Sequence, residues 1–360
     1  KTRVLTYRAA YLIKTKNIPP ENILLTTFTN KAANEMKERL KKLVGVFPPF
    51  VGTFHSLCAK ILRKDGKYLV IPVNYLIYDA NDSLDLIKDV MKKLDISPKQ
   101  FNPNAVLNTI SQAKNELIPA LEYPQYARGY FQEAVARIYL IYQRSLKENE
   151  ALDFDDLIME TVRLFQKEKE VLGRYQEQFK YLLVDEYQDT NHAQTVLVEL
   201  LAKRYHNLCV VGDASQSIYG WRGANFHNVV EFKNAFSQTK IFNLEQNYRS
   251  TQKILDAAFA GISKNTGHPI LKLWTNNPAG QPIQLYEAQN EKNEAEFVLQ
   301  TIQQSNNETM KQFNNYAILY RTNAQSRVFE EALLHAGIPY LLVGGVRFYE
   351  RKEIKDVLSY

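Results

Sequence analysis

An apolar run ends abruptly on two adjacent acids. Tyr181 to Val184 are four large apolar residues, and Asp185 and Glu186 follow them directly. A core strand usually runs into a turn of Gly, Pro or Asn, and a solvated segment is polar throughout. Two carboxylates at the carboxyl edge of a parallel sheet could bind Mg²⁺ and deprotonate a water molecule. The alternative is a strand end that carries two solvated acids.

A second apolar strand also stops on a carboxylate, within VVGDASQSIYGWRGA, residues 210 to 224. Gln216 at this edge could hydrogen-bond a terminal phosphate and the water that attacks it. Tyr219, Trp221 and Arg222 follow closely, and aromatic and guanidinium groups stack well on nucleic-acid bases. The segment therefore indicates nucleotide chemistry and nucleic-acid contact in one loop.

The first two residues, Lys1 and Thr2, fit the end of a phosphate-binding loop. Such a loop closes on Gly-Lys-Ser/Thr at a helix N-terminus, where the Lys binds the outer phosphates and the hydroxyl binds Mg²⁺. The glycines of such a loop would precede Lys1. Taken alone, a Lys-Thr pair also fits an ordinary chain start.

Two further strand-to-helix junctions carry polar residues. In FTNKAANEM, Phe28, Thr29 and Asn30 follow the strand-like run ILLTT, and GTFHSLC, residues 52 to 58, repeats the arrangement. Helix N-termini bind phosphate well. The alternatives are that Thr29 or Asn30 is a helix cap, that Phe28 lies in the core, and that His55 is a structural histidine.

The order of apolar runs predicts an α/β fold with a parallel sheet wrapped by helices, because most of these runs lead into helical periodicity. The predicted strands are Ile23 to Thr27, Val51 to Phe54, Tyr181 to Asp185, Leu208 to Asp213 and Ile241 to Leu244. After the first strand, Ala33, Met36, Leu40 and Leu43 share one helical face, with Gly45 as a stop signal.

Residues 80 to 178 show helical spacing instead, which predicts an all-helical insertion. A cluster of Pro and Gly at residues 275 to 284 marks a second break. Beyond it the pattern predicts a further α/β unit, with a helix around Glu294 to Gln304. Its predicted strands are Ile283 to Glu287, Tyr316 to Arg321 and Tyr340 to Val343.

The totals limit the class of protein. The 360 residues allow two or three domains, and 45% apolar and 23% charged residues are typical of a soluble globular chain. The sequence has neither a run of apolar residues long enough for a membrane span nor a recognisable signal peptide. The two cysteines, Cys58 and Cys209, favour reduced core thiols in a cytoplasmic protein. The net charge of +6 permits an anionic partner.

Several long motifs together resemble one family. They are FTNKAANEM, GTFHSLC, DEYQDTN, GDASQSIYGWRGA, LEQNYRS, YAILYRTNAQSR and GGVRFYERKEIKDVLSY. In this order and spacing they are similar to the superfamily 1 DNA helicases of the UvrD/PcrA/Rep group, and the match extends through essentially the whole chain.

The resemblance implies RecA-like motor domains of the P-loop NTPase class, with ATP hydrolysed in the cleft between them. Residues 1–80 and 179–275 would form the first motor domain, and 81–178 its all-helical insertion. Residues 276–360 would form the first part of the second motor domain.

The resemblance also implies an ATP and Mg²⁺ site. Lys1 and Thr2 would end the phosphate-binding loop, and Thr2 and Asp185 would bind Mg²⁺. Glu186 would be the catalytic base and Gln216 the γ-phosphate sensor. Arg249 would contact the γ-phosphate and Tyr248 would stack on adenine, although Asn-Tyr-Arg after a strand also fits a helix cap with a surface Arg.

The DNA-binding residues implied by the resemblance come from three segments, with Trp221 as the main stacking residue. They are Phe28, Thr29, Asn30, Thr53, Phe54, His55, Tyr219, Trp221 and Arg222.

The sequence thus predicts an ATP-dependent helicase or translocase on single-stranded DNA, with 3′ to 5′ polarity, in DNA repair or replication. Its partners would be single-stranded DNA, junctions of single- and double-stranded DNA, and repair or replication proteins. Two alternatives stay open: a helicase subunit of a RecB/AddA-like helicase–nuclease, and a catalytically incomplete fragment that binds single-stranded DNA. The resemblance indicates a chain truncated at both ends, so we expect little ATPase activity from residues 1–360 alone. Ser215 stands where the family commonly has an acid.

Overall fold

A computed structural model describes residues 1–220, 223–230, 232–236, 238–309 and 313–343. The described residues form two units. The larger comprises Lys1–Ser250 and Leu255–Asn277, and the smaller comprises Thr251–Ile254 and the described residues from Pro278 onward.

The strands and helices of the described residues follow in chain order. The strands are β1 (Ile23–Thr27), β2 (Phe50–Thr53), β3 (Leu76–Tyr78), β4 (Ala151–Asp153), β5 (Tyr181–Val184) and β6 (Leu208–Val210). The helices are α1 (Thr2–Lys14), α2 (Asn30–Val44), α3 (Phe54–Asp65), α4 (Ala80–Lys93), α5 (Pro103–Asn115), α6 (Tyr130–Glu148), α7 (Phe154–Lys167), α8 (Lys169–Gln178), α9 (His192–Ala202), α10 (His227–Val230), α11 (Phe232–Ala235), α12 (Gln252–Ile262), α13 (Glu291–Thr309) and α14 (Ser326–His335).

A parallel four-stranded sheet in the order β2-β1-β5-β6 lies at the centre of the larger unit. In its register Leu25 of β1 pairs with Val51 of β2 and with Leu183 of β5. All five residues of β1 are buried, as expected for a strand covered on both faces. The predicted parallel α/β sheet is thus confirmed, and four of its five predicted strands are present.

Helices cover both faces of this sheet because successive strand residues point to opposite sides. Ile23 and Leu25 pack with α1 and α2, whereas Leu24 faces a larger cluster with α3, α7, α8 and α9. The predicted helix after β1 is confirmed: Ala33, Met36 and Leu40 form its buried face.

The segment between β2 and β5 contains its own core, formed by α4, α5 and α6. It is not all-helical, because β4 lies within it and pairs in parallel with β3 through Leu76–Ala151, Ile77–Leu152 and Tyr78–Asp153. A strand of three residues is too short for its alternation to show in the sequence, which is why the prediction missed it.

In the smaller unit, α13 confirms the predicted helix. The predicted strands at 283–287, 316–321 and 340–343 in this unit, and the one at 241–244 in the larger unit, are wrong for the described residues, where no strand follows β6. Leu285 is 98% exposed and Leu319 is 93% exposed. A strand is stabilised by pairing with a neighbouring strand, and the described residues after β6 contain no strand. The predicted helical pattern at the chain end lies outside the described residues.

Two other sequence predictions concern membrane-spanning helices and the two cysteines. Within the part of the chain that the structure describes, no helix is both long enough and apolar enough to span a membrane. Cys58 is buried, Cys209 is half-buried, and both are free thiols.

Candidate functional site

The acids Asp185 and Glu186 stand at the carboxyl edge of the sheet, directly after β5. The Asp185 N–H donates to the Thr26 carbonyl of β1 at 2.9 Å, and the Tyr187 N–H donates to the Val211 carbonyl at 3.0 Å. Glu186, between these two bonds, has a left-handed backbone with φ of 50°. This edge is where open α/β sheets bind ligands.

Five of the predicted residues meet at this edge. Lys1 Nζ donates to Glu186 Oε2 at 2.9 Å and to Gln216 Oε1 at 2.9 Å. Thr2 Oγ1 donates to Asp185 Oδ2 at 2.7 Å. A cation, a hydroxyl, two carboxylates and an amide from three distant parts of the sequence are therefore joined in two hydrogen-bonded sets at one edge of the sheet.

The two carboxyl groups have opposite pKa shifts. Burial raises the pKa of Asp185, and the bond from Thr2 only partly offsets this effect. Burial would also raise the pKa of Glu186, but the hydrogen bonds from Lys1 and Gln188 outweigh burial and lower that pKa. Glu186 is therefore held as a carboxylate, which is the protonation state of a general base.

The oxygen atoms around Asp185 fit a Mg²⁺ ion. Asp185 is 2% exposed. Its Oδ1 atom is buried and has no hydrogen-bond partner among the described residues. Mg²⁺ prefers oxygen ligands and is often held by one or two protein groups together with substrate phosphates. The Thr2 hydroxyl and the Asp185 carboxylate form such a set, and the described residues contain no cluster of three or more His, Cys, Asp or Glu that could hold a metal.

Gln188 is a site residue that the sequence predictions missed. Its amide nitrogen donates to Glu186 Oε2 at 3.0 Å and to Asp189 Oδ2 at 3.2 Å, and its Oε1 accepts from the Asp213 N–H at 2.9 Å. Gly212 makes this approach possible, because a Cβ there would lie 3.0 Å from Gln188 Oε1. Gln188 thus links the segment after β5, which carries Glu186, to the segment after β6, which carries Asp213. Its position two residues after Glu186 was the available signal.

A second group of predicted residues lies around Phe28. The Phe28 and Tyr219 rings stack with centroids 5.0 Å apart and an angle of 26° between planes. Thr29 caps α2 by accepting the Ala32 N–H at 3.2 Å, and Asn30 is the first residue of that helix. Thr29 and Asn30 are both exposed. The structure thus shows Thr29 as a helix cap, which was one of the alternatives. The N-terminus of α2 stays accessible beside it.

The junction at Thr53 is similar but more buried. Thr53 caps α3 by accepting the Ser56 N–H at 3.3 Å. The His55 ring packs edge-to-face on Phe154 at 5.7 Å, and burial lowers its pKa. Phe54 is 5% exposed and packs in the core of the larger unit. Contact between Phe54 and DNA stays a prediction.

Four predicted residues remain: two lie outside the described part of the chain, and two are described but not brought into these clusters. Trp221 and Arg222 lie outside the described residues. The Tyr248 ring is 79% exposed, and its hydroxyl donates to Gln246 Oε1 at 2.7 Å. Arg249 donates through its backbone N–H to Asn247 Oδ1. Among the described contacts, neither the Tyr248 nor the Arg249 side chain reaches the Lys1 cluster.

Comparisons with known proteins identify the family of this chain. Residues 1–237 match the UvrD/REP helicase N-terminal domain, and residues 242–360 match the UvrD-like helicase C-terminal domain. Across its whole length the chain is 49% identical to the ATP-dependent DNA helicase PcrA of Bacillus subtilis strain 168, of which it covers 49%. It is 51% identical to the protein of the same name from Staphylococcus aureus strain Mu50, of which it covers 50%.

The two family matches together, and each of the two relatives, cover the residues that form the site. The chain spans about half the length of the curated relatives it matches. The chain belongs to the UvrD/REP helicase family.

Proposed function

We propose that this chain is part of an ATP-dependent helicase or translocase that moves along single-stranded DNA. The observation that carries the proposal is the cluster in which Lys1 bonds both Glu186 and Gln216 while Thr2 bonds Asp185. These are the parts that phosphoryl transfer to water requires: a cation for the outer phosphates, a base, and an amide that orients the water.

The ammonium group of Lys1 would bind the terminal phosphates of ATP. Because its present acceptors are Glu186 and Gln216, phosphate oxygens that accept these bonds would free both side chains to face the attacking water. Glu186 would accept a proton from that water, and the Gln216 amide would orient it. Mg²⁺ bound by Thr2 and Asp185 would offset the charge of the phosphate oxygens. The exposed Tyr248 and Arg249 are the proposed contacts to adenine and to the γ-phosphate.

Single-stranded DNA would pass along the edge that carries Phe28 and Tyr219. Their stacked rings offer a platform for bases, since stacking on an aromatic side chain contributes about 1–3 kcal/mol per base. The exposed N-terminus of α2, with Thr29 and Asn30, suits a phosphate of the strand. Thr53, Phe54, His55, Trp221 and Arg222 stay proposed DNA contacts.

For the whole protein we propose two RecA-like motor domains that close on ATP and open after hydrolysis. Residues 1–80 and 179–275 would form the first domain, 81–178 its largely helical insertion, and 276–360 the first part of the second. We further propose 3′ to 5′ polarity, action at junctions of single- and double-stranded DNA, and a role in DNA repair or replication in the cytoplasm.

The test uses a protein extended at both ends to the length of the PcrA relatives. Glu186→Gln should lower DNA-stimulated ATP turnover by about 100-fold or more, the usual effect of losing a general base, while ATP binding changes little. Glu38→Gln, the same substitution at an exposed position on α2, should leave both unchanged. Normal turnover by Glu186→Gln would remove Glu186 from the mechanism. Faster unwinding of 5′-tailed than of 3′-tailed duplexes would contradict the proposed polarity.

A further inference from the structure

The C-terminal end of α5, in the helical insertion, contacts the acid segment, which is residues 185–191 and carries Asp185 and Glu186. Asn191 Nδ2 donates to Asn115 Oδ1 at 2.6 Å. Asn115 is 6% exposed and Asn191 is 7% exposed. A buried amide without its partner costs about 1–3 kcal/mol, so this bond holds the two segments together.

The side-chain oxygen of Asn191 caps the N-terminus of α9. Its Oδ1 accepts the Gln194 N–H at 2.9 Å, and Gln194 Oε1 accepts the Asn191 N–H at 3.3 Å. One short side chain therefore fixes where α9 starts and binds the insertion. Asn191 follows Glu186 by only five positions, so its placement limits where the acid segment can lie.

Gly223, four residues after Tyr219, lies close to the same two asparagines. Gly223 has φ of 78°, and a Cβ there would lie 3.7 Å from Asn115 Cβ and 3.8 Å from Asn191 Cβ. Next to it the Thr190 carbonyl accepts the Asn225 N–H at 3.1 Å and Asn228 Nδ2 at 2.8 Å. The insertion, the acid segment and the Tyr219 loop thus meet around one hydrogen bond.

Lys114, the neighbour of Asn115, fixes the end of α5 to the core of the insertion. Its ammonium is fully buried and lies 2.7 Å from Asp153 Oδ2 and 2.7 Å from Asp156 Oδ1. Tyr142 donates to the same Asp153 oxygen at 2.9 Å. Asn115 therefore stands next to a residue that is anchored in the core of the insertion, and a shift of the Tyr219 loop would move the acid segment relative to this anchor.

We propose that Asn115 is a positioning residue that, through Asn191, couples DNA contact at the Tyr219 loop to ATP turnover at Glu186. The proposal rests on the proposed function. Asn115 acts without contacting nucleotide or DNA, by keeping the acid segment and the Tyr219 loop in a fixed position relative to each other.

The experiment compares basal and DNA-stimulated ATPase in a protein extended to the length of its relatives. Asn115→Ala removes the acceptor of the bond. Asn191→Ser removes the donor but keeps an oxygen that can cap α9, because Ser is a good N-cap residue. We expect each variant to lower the ratio of stimulated to basal turnover by about 5-fold or more, which is the lower range of typical coupling, with basal turnover and the KM for ATP unchanged. Asn108→Ala, on an exposed position of α5, is the matched control and should not change the ratio.

The double variant separates this coupling from general damage. If the two residues act through their bond, the double variant should have the same ratio as either single variant, whereas independent effects would multiply. An unchanged ratio in Asn115→Ala, or a parallel fall of basal and stimulated turnover, would overturn the proposal. If instead the proposed function is wrong, the unsubstituted protein would show no DNA-stimulated turnover, which distinguishes that failure from these two outcomes.

Discussion

The ion cluster around Lys114 contains two carboxylates that should respond differently to the same substitution. Both lie 2.7 Å from one ammonium. Burial, and then the charge of Asp153, raises the pKa of Asp156 to about 7. Burial would also raise the pKa of Asp153, but Lys114 outweighs burial and lowers that pKa. Asp153 is therefore the permanent counter-ion of Lys114, and Asp156 is partly protonated near neutral pH.

The two Asp→Asn variants differ in the charge that they leave beside Lys114. Asp153→Asn removes the ionised carboxylate and leaves Asp156, 2.7 Å from the ammonium, as the remaining counter-ion. Breaking a buried pair completely costs about 3–5 kcal/mol of unfolding free energy, so we expect a loss below that range but larger than the loss for Asp156→Asn. Asp156→Asn replaces a group that is already partly neutral and keeps an oxygen for Gln143, whose amide donates to Asp156 Oδ1 at 3.2 Å. It loses the bond from the Asp153 N–H, which costs about 1 kcal/mol.

The pH dependence of Asp156→Asn has a definite sign. The native pKa of Asp156 lies above the ordinary value of 3.8 for an aspartate. Between about pH 4 and about pH 7 the native carboxyl keeps a proton that the unfolded chain has released, so this group's contribution to stability is lost as pH rises through that window. An Asn at this position does not titrate. Asp156→Asn should therefore cost more at about pH 5 than at about pH 8.

Urea unfolding followed by far-ultraviolet circular dichroism measures both effects. The control is Asp85→Asn, at an exposed ion pair on α4, which should change the unfolding free energy by less than about 0.5 kcal/mol at every pH. Equal losses for Asp153→Asn and Asp156→Asn near pH 8 would refute the assignment of charge within the cluster. A pH-independent loss for Asp156→Asn would refute the raised pKa.

Three other predictions concern the caps, the stacked rings and a thiol. Thr29→Ala and Thr53→Ala should each lower the unfolding free energy by about 1 kcal/mol, with Ser retaining the cap at both positions, as measured by urea unfolding. Phe28→Ala and Tyr219→Ala should each weaken binding of single-stranded DNA by about 5-fold or more in fluorescence anisotropy titrations of the extended protein, and unchanged affinity would contradict the stacking platform. Burial raises the pKa of the Cys58 thiol to about 12, so iodoacetamide should label Cys58 at mildly alkaline pH only after unfolding, as read by mass spectrometry.

The sequence predicted the sheet well because its signals are local. The run ILLTT, covered on both faces, combines apolar residues with β-branched Thr, which is typical of a buried strand, and Thr29 and Gly45 mark the ends of the helix that follows it. The predicted meeting of Lys1 with Glu186 and Gln216 came from motifs and not from spacing, because these residues are far apart in the chain. The structure brings them together.

Other features could not be predicted because they depend on distant partners. Phe54 and Phe28 both follow a strand at the start of a helix, yet Phe54 is buried and Phe28 is half-buried. The difference arises from which helices pack over each edge. Similarly, the bond between Asn115 and Asn191 joins residues 76 positions apart, and an Asn at a helix end looks like an ordinary cap.

The left-handed conformation of Glu186 follows from how the sheet ends around it. Asp185 is still hydrogen-bonded to β1, whereas Tyr187 is bonded to the carbonyl of Val211, just beyond β6. One residue must therefore span the change of neighbour, and Glu186 does so with φ of 50°. This conformation costs a non-glycine residue about 1–2 kcal/mol. Bonds from Lys1 and Gln188 to the Glu186 carboxylate help to offset that cost. A glycine would adopt the same backbone without strain but would lack the carboxylate, so the strain at this position is consistent with a residue retained for its chemistry.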